Sequence, residues 1–369
     1  MNSWLINNFQ IGIFLWLIGT TLIYFILPKR WSLDGISLST ALFLAFASPF
    51  SLLWLLLSSL LVWFSLKYKH KNMKIYVFVV LLVSLVFLVY QYTVQDGLAS
   101  LGPVVFLGIS YYTCRHIHVL VEAYKGMIGA IHLRDYLHYQ LFLPVLMVGP
   151  IHRYPHFQRE CQRRYYSWGN AIEGLERILY GYAKAVLIGA YLLRFKADTI
   201  LHIYLTPGIA LNFVTSANDW LVLYAVFSGY VDVALGFSQI WGLKLEENFN
   251  CPYLAKNLID FWQRWHITLS SWCKDYIYMP VLAYSRSAVL AIILAMMGIG
   301  VWHSLSFYYL LWGMYQALGI ILCRVYQRND FLRLIKLPAP LKNFITIGAT
   351  FMWLISAKPV LAFFLTKLG

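Results

Sequence analysis

Acidic side chains are scarce in this chain. Fifteen Asp and Glu stand against 29 Lys and Arg, and all charged residues together make up 12% of 369 positions. A water-soluble domain carries about a quarter charged residues, so the shortage excludes one. With 60% apolar residues and a mean hydropathy of +0.65, the chain reads as an integral membrane protein. Strict apolar–polar alternation is missing too, which excludes a transmembrane barrel. The five cysteines (Cys114, Cys161, Cys251, Cys273, Cys323) are odd in number and lack C-x-x-C spacing. That argues against a disulfide framework or a zinc site, leaving free thiols in spans or near interfaces, with a nucleophilic Cys273 as a weakly supported alternative. No basic region precedes the first apolar run and no A-x-A-like site follows it, so a cleavable signal peptide is not expected. Low-complexity stretches, soluble insertions and a convincing internal repeat are also missing, and residues 1–369 read as one membrane domain.

Apolar runs of helical length recur at Ile11–Ile26, Ile36–Leu66, Ile75–Tyr90, Leu101–Val121, Leu137–Val148, Ile178–Leu193, Trp220–Trp241, Ala288–Val301, Leu305–Cys323 and Phe344–Leu365. At roughly 20 residues per crossing, they predict an all-α polytopic protein of about ten transmembrane and re-entrant helices. The shorter, Gly/Pro-broken segments should line a cavity, since broken backbone is tolerated at depth only there. Ile36–Leu66 reads as a hairpin turning near Ser48-Pro49. By the positive-inside rule Lys29-Arg30 and Lys67, Lys69, Lys71 and Lys74 face the cytoplasm, placing the N-terminus outside. The net charge of +14 fits such topology signals and attraction to anionic membrane lipids. An acidic substrate is the sharper reading, and the scatter of basic residues between spans argues against nucleic acid.

Three intervals are polar. His152–Glu176 reads as a surface loop leading into an amphipathic helix, and Thr206–Asp219 as an exposed loop on the other side. Arg324, Arg328, Asp330, Arg333 and Lys336 separate the last span from the one before it. Against this pattern His303 stands out, as the only Asp, Glu, Lys, Arg or His between Ser287 and Cys323. An ionisable group at membrane depth is a functional hypothesis by default; a histidine hydrogen-bonded between helices is an equal alternative on this residue alone.

A second segment tips that balance. Asp260-Phe-Trp-Gln-Arg-Trp-His266 and the residues through Tyr276 mix tryptophans with charge, and five of the fifteen acidic residues fall between Asp232 and Asp275. Phe261, Trp265, Leu269 and Trp272 recur at helical spacing, so Asn257–Tyr276 reads as one helix, with Asp260–Arg264 and Trp262–His266 as i, i+4 partners. An aromatic anchor at headgroup level would account for the tryptophans. It would not account for His266, Arg264, Asp260 and Asp275 packed among them.

Ser228-Gly-Tyr-Val-Asp232, Glu247-Asn-Phe-Asn-Cys-Pro-Tyr253, Phe261-Trp-Gln-Arg-Trp-His266 and Val301-Trp-His303-Ser with Leu311-Trp-Gly313 resemble the membrane-bound O-acyltransferase family. The likeness is to its bacterial alginate O-acetylation and teichoic-acid D-alanylation branch. Leu107–Thr113 and Pro144–Tyr154 fit its earlier motifs, so the likeness runs from about 101 to 320 in the family's order. Two departures stand out: Val281–Ser287 replaces a Gly-Gly-containing basic loop, and Ser304 follows Trp-His where Gly is usual. The resemblance implies a helical fold around a central tunnel in the bacterial cytoplasmic membrane. It also implies transfer of an acyl group, acetyl by preference, from a thioester donor on the cytoplasmic side. That donor is acetyl-CoA or an acyl carrier protein, bound as substrate with no tightly held cofactor. The acceptor would be a cell-envelope polysaccharide or a secreted or periplasmic acyltransferase partner, with D-alanyl transfer to teichoic acid as the alternative. His303 would be the catalytic base, a role that apolar surroundings suit because they favour neutral imidazole. His266 would orient the donor or stabilise the oxyanion.

Further candidates for substrate contact are Asp232, Asn250, Trp262, Arg264, Trp265, Trp302 and Arg153. Each has a plainer reading beside it. Asp232 suits a structural ion pair, with Arg264 as one partner; Asn248 and Asn250 suit capping; Arg153 equally suits a cytoplasmic anchor. His116 with His118, and His152 with His156, lack acidic or Cys partners at ligand spacing, so no metal site is expected. A transporter of an acyl or lipid-linked intermediate is the rival function, but the paired broken helices of two related halves are not found.

Overall fold

Backbone polar groups inside a bilayer must be satisfied within their own segment, and the apolar runs become helices. A computed structural model describes residues 3–67, 73–95, 106–328 and 338–368. In chain order the helices are α1 (Ser3–Ile26), α2 (Ser32–Ala47), α3 (Pro49–Lys67), α4 (Met73–Gln95), α5 (Ile109–Tyr124), α6 (Leu133–Gln140), α7 (Tyr154–Arg163) and α8 (Trp168–Tyr182). After them come α9 (Asp198–Tyr204), α10 (Ile209–Ile240), α11 (Leu258–Arg264), α12 (Ile267–Cys273), α13 (Met279–Ser285), α14 (Ala288–His303), α15 (Phe307–Arg328) and α16 (Ala339–Leu368). Wider π-type turns over Ala183–Ala197 join α8 to α9. Among the described residues five helices are long and apolar enough to cross a membrane: Pro49–Lys67, Met73–Thr93, Trp168–Tyr204, Ile209–Ile240 and Ala339–Thr366. Gly12–Ile26, Ser32–Ala47 and Ala288–His303 are shorter and apolar. The chain is an all-α, multi-pass membrane protein. In the described residues the nearest thing to a strand is one isolated antiparallel bridge, Phe249 with Trp265.

Several expectations hold and others need correction. The hairpin turn falls at Ser48, between α2 and α3. Leu137–Val148 is not a span but the end of α6 followed by a 3-10 turn at Leu143–Val145. Thr206–Asp219 is not a loop, because α10 begins at Ile209. Its polar side chains are satisfied from within the helical packing instead. Thr215 donates to Leu211 O at 2.8 Å, Ser216 to Ile355 O at 2.6 Å, and Asn218 to Leu193 O at 3.2 Å. Asp219 pairs with Arg194 and Lys358. Likewise His152 is fully buried, not part of a surface loop, and the amphipathic element starts at α7. Lys69, Lys71, Asp330, Arg333, Lys336 and the start of Leu101–Val121 lie outside the described residues.

The chain divides into two compact units, one comprising residues 1–180 with 231–245, the other 181–230 with 246–369. In the first, α1 and α2 are tied by Trp16 Nε1 donating to Ser39 Oγ at 2.9 Å and by a Thr20–Ser39 hydroxyl contact at 2.6 Å. A fully buried polar network sits on α5 and α6. His116 contacts Ser58 Oγ at 3.0 Å and Tyr136 OH at 2.5 Å, while Arg115 donates to Tyr139 O at 2.9 Å. His118 accepts from Tyr154 N at 3.0 Å. These histidines are engaged as hydrogen-bonding core. No three metal-ligating side chains gather among the described residues.

Candidate active site

All the geometry around the two histidines lies in the second unit, and it begins with two glycines. A Cβ on Gly300 of α14 would run into Tyr309 O of α15, and one on Gly313 would lie 2.7 Å from Met296 O. Only bare backbone permits so close a crossing. The turn between these helices is short, with Ser304 N bonded to Gly300 O at 3.0 Å and Ser306 Oγ accepting from Tyr309 N at 3.2 Å as the cap of α15. Ser304 is extended, at φ −163°, which any residue adopts, so the usual glycine is not needed there. The close crossing sets His303 among rings of α15. It stacks on Tyr309 with centroids 5.7 Å apart and meets Trp312 edge-on at 5.8 Å. Among these rings His303 keeps an exposed surface.

His266 arrives by a different route, and the expected single helix Asn257–Tyr276 is corrected here. The helix stops at Arg264, Trp265 is extended, and His266 is left-handed at φ 43°, ψ 53°. For a residue with a Cβ that conformation costs about 1–2 kcal/mol. The segment 248–250 holds it in place: Asn250 N donates to Arg264 O at 3.0 Å and Ile267 N to Asn248 O at 2.9 Å. Asn248 Oδ1 then accepts from Thr268 N at 3.2 Å and Thr268 Oγ1 at 2.6 Å. A buried asparagine remote in sequence thus caps α12, because His266 makes no side-chain cap bond. The break also explains why Trp262 and His266 do not meet as helical neighbours.

Trp302 joins the histidines. Its ring lies 5.5 Å from His266 and 5.0 Å from His303, edge-on to both. Phe227 closes the far side of His266 at 4.8 Å, and Trp262 packs on Trp312 at 5.9 Å. His266 is 2% exposed, and neither ring nitrogen has a hydrogen-bond partner; Trp262 Nε1 is also buried without one. Buried polar atoms are nearly always partnered, and here the two ring nitrogens of His266 and the indole N–H of Trp262 are free to take a hydrogen-bond partner. Burial, with the His303 charge second, lowers the His266 imidazole to about 3 and keeps it neutral at physiological pH.

Beside this cluster lies a cavity of about 480 Å³ with walls that include Trp262, Ile267, Ser271, Lys274, Ile299 and Arg324. It contacts the residue following His266 and the turn of α14 before His303. Its cationic side is set by Lys274 and by Arg324, which donates to Tyr278 OH at 3.2 Å.

The structure therefore groups His266, His303, Trp302 and Trp262. Trp265 packs behind them against Phe249, Phe261 and Trp220. Arg264 is bound to Asp260 at 2.6 Å, the expected i, i+4 pair, and also to Asn250 O. The suggested Asp232–Arg264 pair is corrected: Asp232 bonds Arg177 at 3.0 Å. Asp232 and Arg153 belong to the first unit. Asn250 does not cap; it contributes backbone bonds and its side chain is exposed. Sequence reasoning missed Phe227, Tyr309, Trp312 and the pinning role of Asn248. It also missed Gln316, fully buried one turn beyond Trp312 with both amide atoms unpartnered. The spacing of Tyr309, Trp312 and Gln316 along one face of α15 was the available signal.

These features define a polytopic helical membrane protein with a buried and an accessible histidine joined by one tryptophan. The family model for membrane-bound O-acyltransferases matches residues 33–365, and the chain belongs to that family. It is 32% identical over 252 residues to an alginate O-acetylase, AlgI, of Pseudomonas aeruginosa, covering 65% of this chain and 46% of the relative. It is 33% identical over 231 residues to a teichoic acid D-alanyltransferase of Bacillus subtilis, covering 58% and 57%. A peptidoglycan O-acetyltransferase of Helicobacter pylori is 29% identical over 264 residues, covering 60% and 48%. The chain spans about half the length of these curated relatives.

Proposed function

We propose that the protein is an O-acyltransferase that moves an acyl group, acetyl in the first instance, from a thioester to a hydroxyl of a cell-envelope polymer or of a secreted partner. The observation that carries this reading is His266, buried with both ring nitrogens unused and one tryptophan away from His303. His303 has an exposed surface, where an acceptor hydroxyl can reach it, and serves as general base. As the hydroxyl oxygen attacks the thioester carbonyl, an imidazole nitrogen takes its proton. Collapse of the tetrahedral intermediate breaks the carbon–sulfur bond, and the same proton passes to the departing sulfur as thiol. His266 N–H and Trp262 Nε1–H supply donors for the oxyanion in a dry setting, where such bonds are strongest.

The 480 Å³ cavity is the donor's place in this scheme. Its apolar wall suits a pantetheine arm, and Lys274 with Arg324 suits the phosphate at the arm's end. CoA and a carrier protein share that chemistry. The donor enters from the cytoplasm and the acceptor lies outside the bacterial cytoplasmic membrane, in keeping with Lys29-Arg30 on the inner side. The relatives named for D-alanyl transfer keep that acyl group as the second reading.

The test is His303→Ala and His303→Gln at unchanged membrane abundance, with mass spectrometry of envelope polymers. Acylation should fall by about 10²–10⁴-fold, the usual contribution of a general base. Wild-type acylation in both variants would reject the assignment. The mass of the missing group separates acetyl from D-alanyl.

A further inference from the structure

A second cavity lies in the first unit and shares no lining residue with the histidine cluster. It holds about 190 Å³ and is lined by Arg30, Arg134, Arg164, Asp135, His138 and Tyr154 among others. At ~30 Å³ per water it takes about six waters, or a phosphate group with some of its hydration. Three guanidinium groups meet one wall carboxylate there. Asp34 answers Arg134, with Arg134 Nε donating to Asp34 Oδ1 at 2.8 Å. Arg30 and Arg164 have no acidic partner recorded among the described residues.

Arg164 is the telling residue. It is 7% exposed, and its Nη2 donates to Lys29 O and to Ser32 Oγ, the latter at 3.0 Å. Its Nε is buried and has no hydrogen-bond partner, nor does the Tyr154 hydroxyl, in a residue 2% exposed. A buried guanidinium with neither a carboxylate nor its full set of acceptors is expensive unless an anion completes it.

The surroundings fix the source of that anion. Arg30 and Trp31 form the turn between the apolar helices α1 and α2, and Arg164 precedes the entry to α8. Trp31 is 47% exposed and lies under the guanidinium groups of both Arg30 and Arg134, at 5.8 and 5.1 Å. Tyr166 packs on Phe25 at 5.1 Å and on the exposed Trp168 at 5.5 Å. Exposed Trp and Tyr beside the ends of apolar helices mark headgroup level. The cavity therefore opens where lipid phosphates lie.

We propose that this arginine-lined cavity is a binding site for the phosphate of an anionic membrane lipid. The headgroup phosphate takes donors from Arg30, Arg134 and Arg164, and the glycerol and chains leave along the apolar outer faces of α1 and α2. The site is independent of the acyl-transfer reading.

Thermal melting of the detergent-solubilised protein, titrated with phosphatidylglycerol mixed micelles, tests it. Phosphatidylcholine micelles and inorganic phosphate run as separate arms. Phosphatidylglycerol should raise the melting temperature of the wild type. Arg30→Gln and Arg164→Gln should each weaken half-saturation about fivefold, as expected for one surface cation facing anionic lipid. Lys244→Gln, which removes one exposed charge outside the cavity, should leave it unchanged. Arg30 lies in an exposed turn, so its variant stays informative where Arg164→Gln fails to fold. Equal titrations for wild type, Arg30→Gln and Lys244→Gln would overturn the site. An equal shift with inorganic phosphate, or with phosphatidylcholine, would overturn the anionic lipid as its occupant.

Discussion

Replacing Gly300 by alanine tests whether the α14–α15 crossing sets the position of His303. A Cβ at Gly300 would collide with Tyr309 O, which is backbone and has no rotamer to move to. The helices must part by a few tenths of an ångström or more, and overpacking of this kind costs about 1–3 kcal/mol. His303 lies less than one turn beyond Gly300, and its two ring partners on α15, Tyr309 and Trp312, are 5.7 and 5.8 Å away. Parting the helices shifts the imidazole against both. A misplacement of about 1 Å can lower a rate about 10²-fold, so acylation should drop far more than abundance does. Gly298→Ala is the control. Its Cβ would meet only Ile277 Cδ1, the movable tip of a side chain, at 2.6 Å. The assay is acyl content of the envelope by mass spectrometry, normalised to membrane abundance, with melting of the solubilised protein alongside. If Gly300→Ala matched Gly298→Ala in both readouts, the close crossing would not be what positions His303.

Asn248→Ala removes both bonds to Thr268 and with them the cap of α12; it should lower stability by about 1–3 kcal/mol and reduce acylation more than Thr268→Val, which keeps the backbone N–H bonded. Equal effects of the two in melting and acylation assays would contradict that order. Acidification gives a signed prediction, because His266 is held at about 3, below its ordinary 6.5, chiefly by burial. The unfolded chain binds that proton first, so stability is full above pH 6.5 and falls as pH drops from there towards about 3, with a slope of up to about 1.4 kcal/mol per pH unit. His266→Gln should flatten the melting-versus-pH curve by one proton's share, and an unchanged curve would refute the burial argument. Asp260→Asn breaks a partly exposed i, i+4 pair with Arg264, worth about 0.3–0.5 kcal/mol, and weakens the exposed bond from Lys256 N to Asp260 Oδ2; acylation should stay within about twofold. A loss as large as that of His303→Ala would give the pair a direct part in the reaction.

The helices of the outer spans were legible because lipid demands long apolar runs, and the turn at Ser48 was legible because proline follows it. The charged and aromatic stretch around His266 could be read as chemistry, but not as a break in a helix. Phe261, Trp265, Leu269 and Trp272 keep helical spacing across the break, and all four are buried. Periodicity registers which side chains are buried and is blind to one residue turning left-handed between two short helices. Polar residues misled in the opposite direction at Thr206–Asp219. Ser216, Asn218 and Asp219 looked like loop residues, yet each is answered by a group distant in sequence.

What the sequence determined by itself was the class of solvent, the helical character of the apolar runs, and the two histidines worth testing. Each follows from composition or from a local pattern. Only the tertiary structure decided that Asn248 fixes the turn at His266, that Trp302 stands between the histidines, and that Asp232 answers Arg177 and not Arg264. The physical reason is that these contacts join residues with no shared period along the chain. They are set by how closely glycine-bearing helices cross and by which buried polar atoms find a partner.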